Sequence, residues 1–535
     1  MKNLTVAAIA AVILPTAFAQ DWPQWGGNDP GRNMYTPAKN LPTSFNPGKL
    51  KQGTEDIDPS TTKDVRWVAK LGSQSYGNPV VANGKVFVGT NNETPRNKKH
   101  QGDRSILMVF DEKTGELLWQ LVVPKLASGK VNDWENLGLL CAPTVEGNRV
   151  YIVTSRCEVM CLDADGLKNG NDGDFKDEAQ YIVGPGKAKE ELTPIDADII
   201  WKYDMMDELG VFPHNASNCS VLLADDVLFA CTSNGQDWTH VNIPSPNSPS
   251  FIALNKKTGK LLAEDSAEIG PHIFHGQWSS PSLGVVNGTK QVYFGGGDGW
   301  CYAFGTKPVK KDDVDVLPVI WKVDCNPPEY KVKDAAHKYP SAEGPSEINA
   351  TPVFYKGRVY VPTGQDPEHG EGVGHLLCID PTGTGDVTKT KVVWSYKGIH
   401  RSISTVSIDP ATDLLFVGDF SGFVHCLDAK TGKLNWVYDM KAHMWGSTLV
   451  GDGKVYVGDE DGDFVILPAK KDFDPKKEKP IFETNLGAPV YSTPIVANGV
   501  MYVASQTHLY AIGASATASD QPPKVDINLQ KPEAK

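Results

Sequence analysis

The sequence predicts an all-β fold, an eight-bladed β-propeller of four-stranded antiparallel blades. Three observations support this prediction. Short apolar runs recur along the chain, separated by turns rich in glycine, asparagine and aspartate. A turn of the form Asp-x-x-Thr-Gly, followed by a tryptophan, recurs within this pattern. The first and last units are incomplete in complementary ways, as expected of a repeat that closes into a ring.

The repeating unit is clearest between Leu414 and Trp436. Two apolar runs, Leu414–Gly418 and Phe423–Leu427, flank a polar tip that ends in glycine. The turn Asp428–Gly432 then leads into a third run, which contains the tryptophan. A segment of this design cannot bury both of its faces alone, so it predicts further copies stacked beside it.

Seven other units share this order of strands and turns. The last unit stops after its third strand, whereas Val65–Lys70 is an isolated strand that contains Trp67. Pairing these two elements closes the ring and leaves no exposed sheet edge. The seven other units begin near Gly77, Cys141, Asn218, Ser279, Asn349, Gly446 and Tyr491.

This assignment divides the chain into four parts. Residues 1–19 contain Lys2, an apolar run and the triplet Ala17-Phe18-Ala19, the pattern of a cleaved secretory signal peptide. Residues 20–64 are an irregular segment expected to pack on the propeller, residues 65–513 form the propeller, and residues 514–535 are a disordered polar tail. No run is long enough for a transmembrane helix. We therefore predict an exported monomer in the periplasm or outside the cell.

Charge and cysteine content restrict the partners. The net charge of −13 makes nucleic acid a poor partner. The nine cysteines contain no Cys-x-x-Cys motif. Cys219 and Cys231 lie in consecutive apolar runs, where a disulfide and two free thiols are both compatible with the sequence.

Two types of loop carry the unusual residues. In a propeller blade, the loop that enters the innermost strand shares a face with the loop between the second and third strands. We therefore expect a small molecule or a periplasmic protein to bind at the mouth of the central channel. The candidate catalytic residues are His275, His400, Arg401 and Asp419. The candidate cofactor-binding residues are Trp278, Asp298, Arg401, His443, Trp445 and Gln506.

Two stretches have the composition of a metal site. The loop from Asp366 to His375 is rich in glycine, histidine and carboxylates, and its candidate ligands are His369, Glu371 and His375. The stretch from Asp163 to Asp174 is rich in oxygen donors suited to calcium, without the spacing of an EF-hand.

Each candidate also has a structural interpretation. Aspartates and glycines form turns in any propeller. Trp278 and Trp445 are equally suited to packing the channel, and histidines to hydrogen bonding in the interior. For Arg401 the alternative is a salt bridge between blades.

The segments Phe110–Trp119 (FDEKTGELLW) and Leu427–Trp436 (LDAKTGKLNW) resemble the tryptophan-docking repeat of pyrroloquinoline quinone (PQQ) propellers. The resemblance implies that the tryptophan of each outermost strand is wedged between adjacent blades. The repeat is shared by quinoprotein dehydrogenases and by non-catalytic propellers such as the outer-membrane assembly lipoprotein. The stretch Trp22–Gly27 (WPQWGG) is similar to a group of exported propellers of unassigned function.

In the dehydrogenases, PQQ lies on the propeller axis between a tryptophan and a ring of adjacent half-cystines, beside a calcium ion. The resemblance implies that Trp278 forms the floor and that Arg401 meets a quinone oxygen. The chain has no adjacent cysteine pair, only Cys141 in the comparable second-blade strand, and no Cys-x-x-Cys-His haem site.

Three hypotheses follow from these observations. The first is an exported propeller that binds a ligand or partner at one face. The second is a PQQ- and calcium-dependent dehydrogenase that oxidises an alcohol or sugar. The third is a non-catalytic assembly scaffold.

Overall fold

The computed structural model describes residues 20–332 and 342–513. Within these residues, eight antiparallel sheets form the blades of a propeller, and the predicted fold is confirmed. The predicted signal peptide and polar tail lie outside the described residues. The α-helices of the described chain are all short, and none has the length or apolar composition to span a bilayer. They are Glu178–Tyr181, Met205–Leu209, Pro328–Val332 and Thr388–Lys391.

The four strands of each blade follow one another from the channel outwards, the innermost being named first. Blade 1 contains Val80–Ala82, Lys85–Asn91, Arg104–Asp111 and Leu117–Pro124; blade 2 contains Thr144–Glu146, Arg149–Val153, Glu158–Asp163 and Ile199–Asp204. Blade 3 contains Leu222–Ala224, Val227–Cys231, Phe251–Asn255 and Leu261–Asp265; blade 4 contains Ser282–Val286, Thr289–Gly295, Trp300–Gly305 and Val319–Asp324. Blade 5 contains Val353–Tyr355, Arg358–Thr363, His375–Ile379 and Val392–Tyr396; blade 6 contains Ser407–Asp409, Leu414–Gly418, Phe423–Asp428 and Leu434–Asp439. Blade 7 contains Leu449–Gly451, Lys454–Gly458, Asp463–Pro468 and Phe482–Asn485; blade 8 contains Ile495–Ala497, Val500–Ala504, His508–Ile512 and Val65–Lys70.

The ring closes where the sequence predicts. Val65–Lys70 pairs antiparallel with His508–Ile512, so the eighth blade combines the two ends of the repeat region. Two blades are extended at their outer edges. The hairpin Val309–Lys311 and Val314–Leu317 adds to blade 3, and Gly385–Asp386 adds to blade 4. A separate two-stranded ribbon joins Lys49–Leu50 to Ile57–Asp58.

Tryptophans on outermost strands join one blade to the next. The indole Nε1 of Trp67 donates to Glu112 O at 3.0 Å, and that of Trp394 donates to Ala429 O at 3.0 Å. Each ring also covers the glycine of the neighbouring turn: a Cβ placed on Gly432 would lie 2.6 Å from the ring of Trp394. Both elements of the motif therefore act at the blade interface, which explains why they recur together.

The N-terminal segment from Gln20 to Thr36, hereafter the plug, crosses the central channel and bonds to every blade. Trp22 forms a reciprocal pair of backbone bonds with Val81 of blade 1. Backbone bonds from the plug also reach the innermost strands of blades 2, 4, 5 and 7 and the turn at Asn498 of blade 8. Side chains complete the set, since Asn33 exchanges two bonds with Ile408 of blade 6. The plug therefore satisfies backbone groups that the innermost strands would otherwise expose to the channel.

Arg32 holds the plug at its centre. The side chain is fully buried, and burial lowers its pKa to about 10. Its guanidinium donates to three backbone carbonyls: Trp25 O within the plug, Pro281 O at 3.2 Å and Val221 O at 2.8 Å. A single side chain thus connects the plug to blades 3 and 4.

The nine cysteines all lie within the described residues, and all are buried as free thiols. The amide of Cys231 donates to the sulfur of Cys219 at 3.2 Å, so these two residues face each other across the hairpin without a disulfide.

Candidate functional site

A cavity of about 480 Å³ lies at the mouth of the channel, above the plug. Its wall comes mainly from the loops that enter the innermost strands, together with Asp366 and Pro367 from a loop between a second and a third strand. The two predicted loop types therefore meet here on one face. Trp25 of the plug also contributes to the lining.

A ring of small polar side chains surrounds this cavity, two residues before the innermost strand of every blade except blade 2, where Ala142 takes the position. The backbone amide of one blade donates to the side chain of the next: Ser220 N to Ser280 Oγ at 2.9 Å, and Thr405 N to Ser447 Oγ at 2.8 Å. Similar bonds begin at Ala142, Thr351, Ser447 and Thr493. This ring fixes the spacing of the blades and holds the hydroxyl groups rigidly around the channel.

Aromatic rings form two sides of the cavity. On one side, Tyr76 stacks on Tyr491 with ring centroids 4.9 Å apart, and Trp445 lies 4.7 Å from Tyr491. On the other side is Trp278, whose indole Nε1 donates to Ala216 O at 2.8 Å. Trp278 and Trp445 are partly exposed and line the cavity, so they offer ring surface to a ligand.

The polar lining is neutral or acidic. Among the described residues that form it, none is lysine, arginine or histidine, and the charged members are Glu135 and Asp366. Asn215, Asn218 and Asn349 each have a side-chain oxygen that finds no partner in the described part of the chain. The cavity is therefore suited to a ligand that donates hydrogen bonds and carries no negative charge.

A hydrogen-bonded chain connects the cavity wall to the loop from Asp366 to His375. Trp445 Nε1 donates to Glu460 Oε2 at 3.1 Å, and Glu460 Oε1 lies 2.6 Å from His443 Nδ1. His443 Nε2 lies 3.3 Å from Glu371 Oε1, and its ring stacks on Phe420. His443 and Glu371 thus orient Trp445 rather than touching the cavity themselves.

A second cluster surrounds Asp419. Its Oδ2 lies 2.8 Å from His425 Nε2 and 3.2 Å from His400 Nδ1. Burial alone would raise the pKa of Asp419, but the hydrogen bond and charge of His425 and backbone amide donors lower it. Neighbouring Arg401 is buried, and its Nη1 donates to His369 O at 3.0 Å. None of these side chains is among the described residues that line the channel cavity.

A larger cavity, of about 680 Å³, lies beside the channel mouth, and its lining includes Asp298, Trp300, Lys322 and His240. Burial raises the pKa of Asp298 to about 7, and its carboxylate accepts a hydrogen bond from the Tyr302 hydroxyl at 2.5 Å. The structure therefore separates Asp298 from Trp278.

Gln506 also lies apart from both cavities as the structure describes them. Its backbone amide donates to Pro489 O at 2.8 Å, in the loop before the third strand of blade 8.

The predicted metal ligands have different surroundings. His375 directs Nδ1 to Cys325 O at 2.8 Å, and Glu371 contacts His443. His369 instead lies 4.2 Å from His275, ring centroid to centroid, and beside these two are His214 and His240. Burial lowers the pKa of His214 to about 4 and that of His369 to about 3, which keeps these imidazoles neutral.

Sequence reasoning missed several residues of this face. His240 lies in an insertion between two strands of blade 3, and nothing in its local sequence distinguishes it from a solvent-exposed turn. Tyr491 stands four residues before an innermost strand, as Trp278 and Trp445 do, and this shared position was the available signal.

Comparison with known proteins agrees with the blade geometry. The family described as outer membrane protein assembly factor BamB matches residues 57–165 and 409–471. These two ranges include the Asp-x-x-Thr-Gly turns that contain Gly115 and Gly432. The match covers less than half of the chain, so the chain resembles this family over part of its propeller. Curated protein sequences yield no match to it.

Three solved structures are similar to this propeller at low sequence identity, and the first two share its fold. A europium-containing methanol dehydrogenase is 13% identical with a TM-score of 0.56, over 91% of this chain and 89% of the other. A quinohemoprotein alcohol dehydrogenase from Pseudomonas putida HK5 is 11% identical with a TM-score of 0.54, over 95% and 82%. BamB from Moraxella catarrhalis is 13% identical with a TM-score of 0.48, over 85% and 98%.

Proposed function

We propose that this propeller is an exported binding protein that holds a neutral, hydroxyl-rich small molecule, such as an oligosaccharide, in the channel cavity. The observation that carries the proposal is the lining itself. Partly exposed indole and phenol rings line two sides of the cavity, and amide and hydroxyl groups line the wall between them. Sugar rings stack on aromatic faces through their C–H groups while their hydroxyls bond to amides.

The same lining argues against the quinone of the dehydrogenases. PQQ is a tricarboxylate, and burying such an anion requires cations around it. Among the described lining residues there is none, and Arg401 is buried beneath a loop with its guanidinium on His369 O. The residues near Asp366 suit calcium better than they suit PQQ. Glu347 and Asn349 each have a buried oxygen with no hydrogen-bond partner among the described residues. We therefore derive no quinone-dependent step for this chain.

The test is a binding titration of the purified full-length protein with neutral disaccharides and tetrasaccharides of glucose, mannose, galactose and xylose, in buffer containing chelator. We expect a change in tryptophan fluorescence and saturable heat with one member of the panel. Trp278→Ala and Trp445→Ala should each weaken binding by about 10-fold or more, as expected when a stacking ring is lost. Trp300→Ala is the matched control, because Trp300 lines the other cavity.

Two results would contradict the proposal. One is the absence of binding across the panel at concentrations of roughly 10 mM, the weakest affinity of interest. The other is stoichiometric retention of PQQ after gel filtration in the presence of calcium, with dye reduction by alcohols or sugars. That outcome would make the propeller a dehydrogenase.

A further inference from the structure

We propose that His214, His240, His275 and His369, hereafter the histidine cluster, form a binding site for a transition-metal ion, Zn²⁺ or Cu²⁺. The cluster lies between the channel cavity and the larger cavity. None of its members is among the described residues that line the channel cavity, but the cluster adjoins that cavity. The rings of His214 and His275 lie 6.3 Å and 5.6 Å from that of Trp278, between centroids.

The geometry already gathers the donor atoms. One ring nitrogen from each of His214, His240 and His275 lies within 4.8 Å of the others. His369 lies 4.2 Å from His275 and 6.1 Å from His240 between ring centroids. Imidazole nitrogens bound to zinc at about 2.0–2.1 Å are roughly 3.4 Å apart, so small side-chain rotations complete a tetrahedral site.

Buried nitrogens without partners are the second observation. His275 is fully buried, and neither of its ring nitrogens has a hydrogen-bond partner among residues 20–332 and 342–513. His214 is also fully buried, and its Nε2 has none. Polar atoms in such positions are rare unless another group satisfies them. A metal ion placed among the rings would accept one lone pair from each imidazole.

The outer contacts orient the rings as in known metal sites. His214 Nδ1 donates to Gln236 O at 2.7 Å, and His369 Nδ1 donates to Gln365 Oε1 at 2.8 Å. In both residues the proton is therefore on Nδ1 and the lone pair is on Nε2. Metal-binding histidines are usually fixed in this way by a carbonyl or carboxylate on their second nitrogen.

Local backbone features permit the close approach of these loops. A Cβ on Gly235 would lie 2.7 Å from His214 Cβ and 2.8 Å from His275 O, so only glycine fits between the two histidines. His240 adopts a left-handed backbone conformation, with φ of 55°, and borders the larger cavity. This cavity gives an ion a route to the cluster.

The donor chemistry selects the ion. Four imidazoles and no carboxylate suit zinc, copper, nickel or cobalt, whereas calcium and magnesium require oxygen ligands. The site is therefore distinct in kind from the oxygen donors around Glu347.

The experiment uses the purified full-length protein without a polyhistidine tag, stripped with a chelator and titrated calorimetrically with Zn²⁺, Cu²⁺, Co²⁺ and Ca²⁺. We expect one equivalent of zinc or copper to bind, calcium to produce no heat at this site, and Co²⁺ to give the visible absorption of a tetrahedral nitrogen site. His275→Asn and His240→Asn should weaken binding by about 100-fold or more. His508→Asn, which removes another buried histidine, should leave it unchanged.

The His240→Asn variant is expected to fold normally, because His240 is partly exposed on a surface loop. Its loss of binding would therefore not be explained by misfolding. The proposal is overturned if the wild type binds none of the transition metals more tightly than roughly 0.1 mM. It is also overturned if both variants bind like the wild type, or if His375→Asn rather than His240→Asn abolishes binding. Saccharide binding in chelator is measured separately, so either proposal can fail without the other.

Discussion

Replacing Arg32 by methionine should release the plug while leaving the blades folded. The substitution removes three hydrogen bonds from a charged donor, at about 2 kcal/mol each. Trp25 O and Pro281 O lose the guanidinium donor, whereas Val221 O keeps the Thr144 hydroxyl as a donor at 2.7 Å. It also removes a buried charge, and the lowering of the Arg32 pKa to about 10 indicates a cost near 3 kcal/mol. The free energy lost with the hydrogen bonds exceeds the free energy gained by removing the buried charge. We therefore expect the attachment of the plug to weaken by about 3 kcal/mol.

Amide hydrogen exchange measures this quantity locally. The amides of Val145, Leu283 and Phe354 donate to carbonyls of the plug, so their exchange reports its detachment. A loss of about 3 kcal/mol should accelerate exchange at these three positions by roughly 100-fold. Arg66→Met, at an exposed arginine of the closing strand, is the control. Exchange at the three amides within a factor of about 3 of the wild type would refute the reasoning, as would equal acceleration throughout every blade.

Two further predictions concern the blade interface and pH. Gly432→Ala should cost about 1–3 kcal/mol more in chemical unfolding than Gly453→Ala, since both glycines have positive φ but only Gly432 lies under the ring of Trp394; equal costs would contradict the docking role. Asp298→Asn should stabilise the protein at pH 8 by up to about 4 kcal/mol and have no effect below pH 4. The reason is that the folded pKa of about 7 exceeds the unfolded value near 4, so the wild type loses stability as pH rises between them. Unfolding midpoints of both proteins across this range measure the difference, and parallel pH profiles would contradict it.

The fold was predictable because its determinants are local. In each Asp-x-x-Thr-Gly turn, the glycine that contacts a tryptophan of the neighbouring blade lies a few residues after the aspartate. The tryptophan of its own blade follows within a few residues. The closing strand Val65–Lys70 was identifiable because it carries the tryptophan that the last unit lacks, and its pairing with His508–Ile512 is confirmed. The repetition of this unit along the sequence therefore made the propeller fold predictable, which a single unit would not have done.

The contacts of the plug were not predictable in the same way. Its residues have no period, because the plug satisfies backbone groups of strands spread along the whole chain. Nothing near Arg32 indicates that its guanidinium reaches Val221 and Pro281, which follow it by 189 and 249 positions. Composition alone could indicate only that the segment packs against the propeller.

The candidate sites illustrate the same limit. Grouping His369 with Glu371 and His375 relied on proximity in the sequence, whereas the turns of that loop send the three side chains to different neighbours. The cluster around His275 instead combines loops of three blades, which only the ring brings together. Trp278 and Trp445 were identifiable because their position before an innermost strand recurs.

The contacts of the plug also constrain the order in which the molecule assembles. Asn33 bonds to Ile408 across 375 positions, and Asn498 to Asp21 across 477, so these bonds form only after nearly the whole chain is present. Loop closure over such separations is entropically costly and slows folding. The expected pathway builds blades locally, joins the closing strand, and seats residues 20–36 last. Until that step, the inner strand edges remain open, which makes the late intermediate the species most prone to aggregation or to capture by a chaperone.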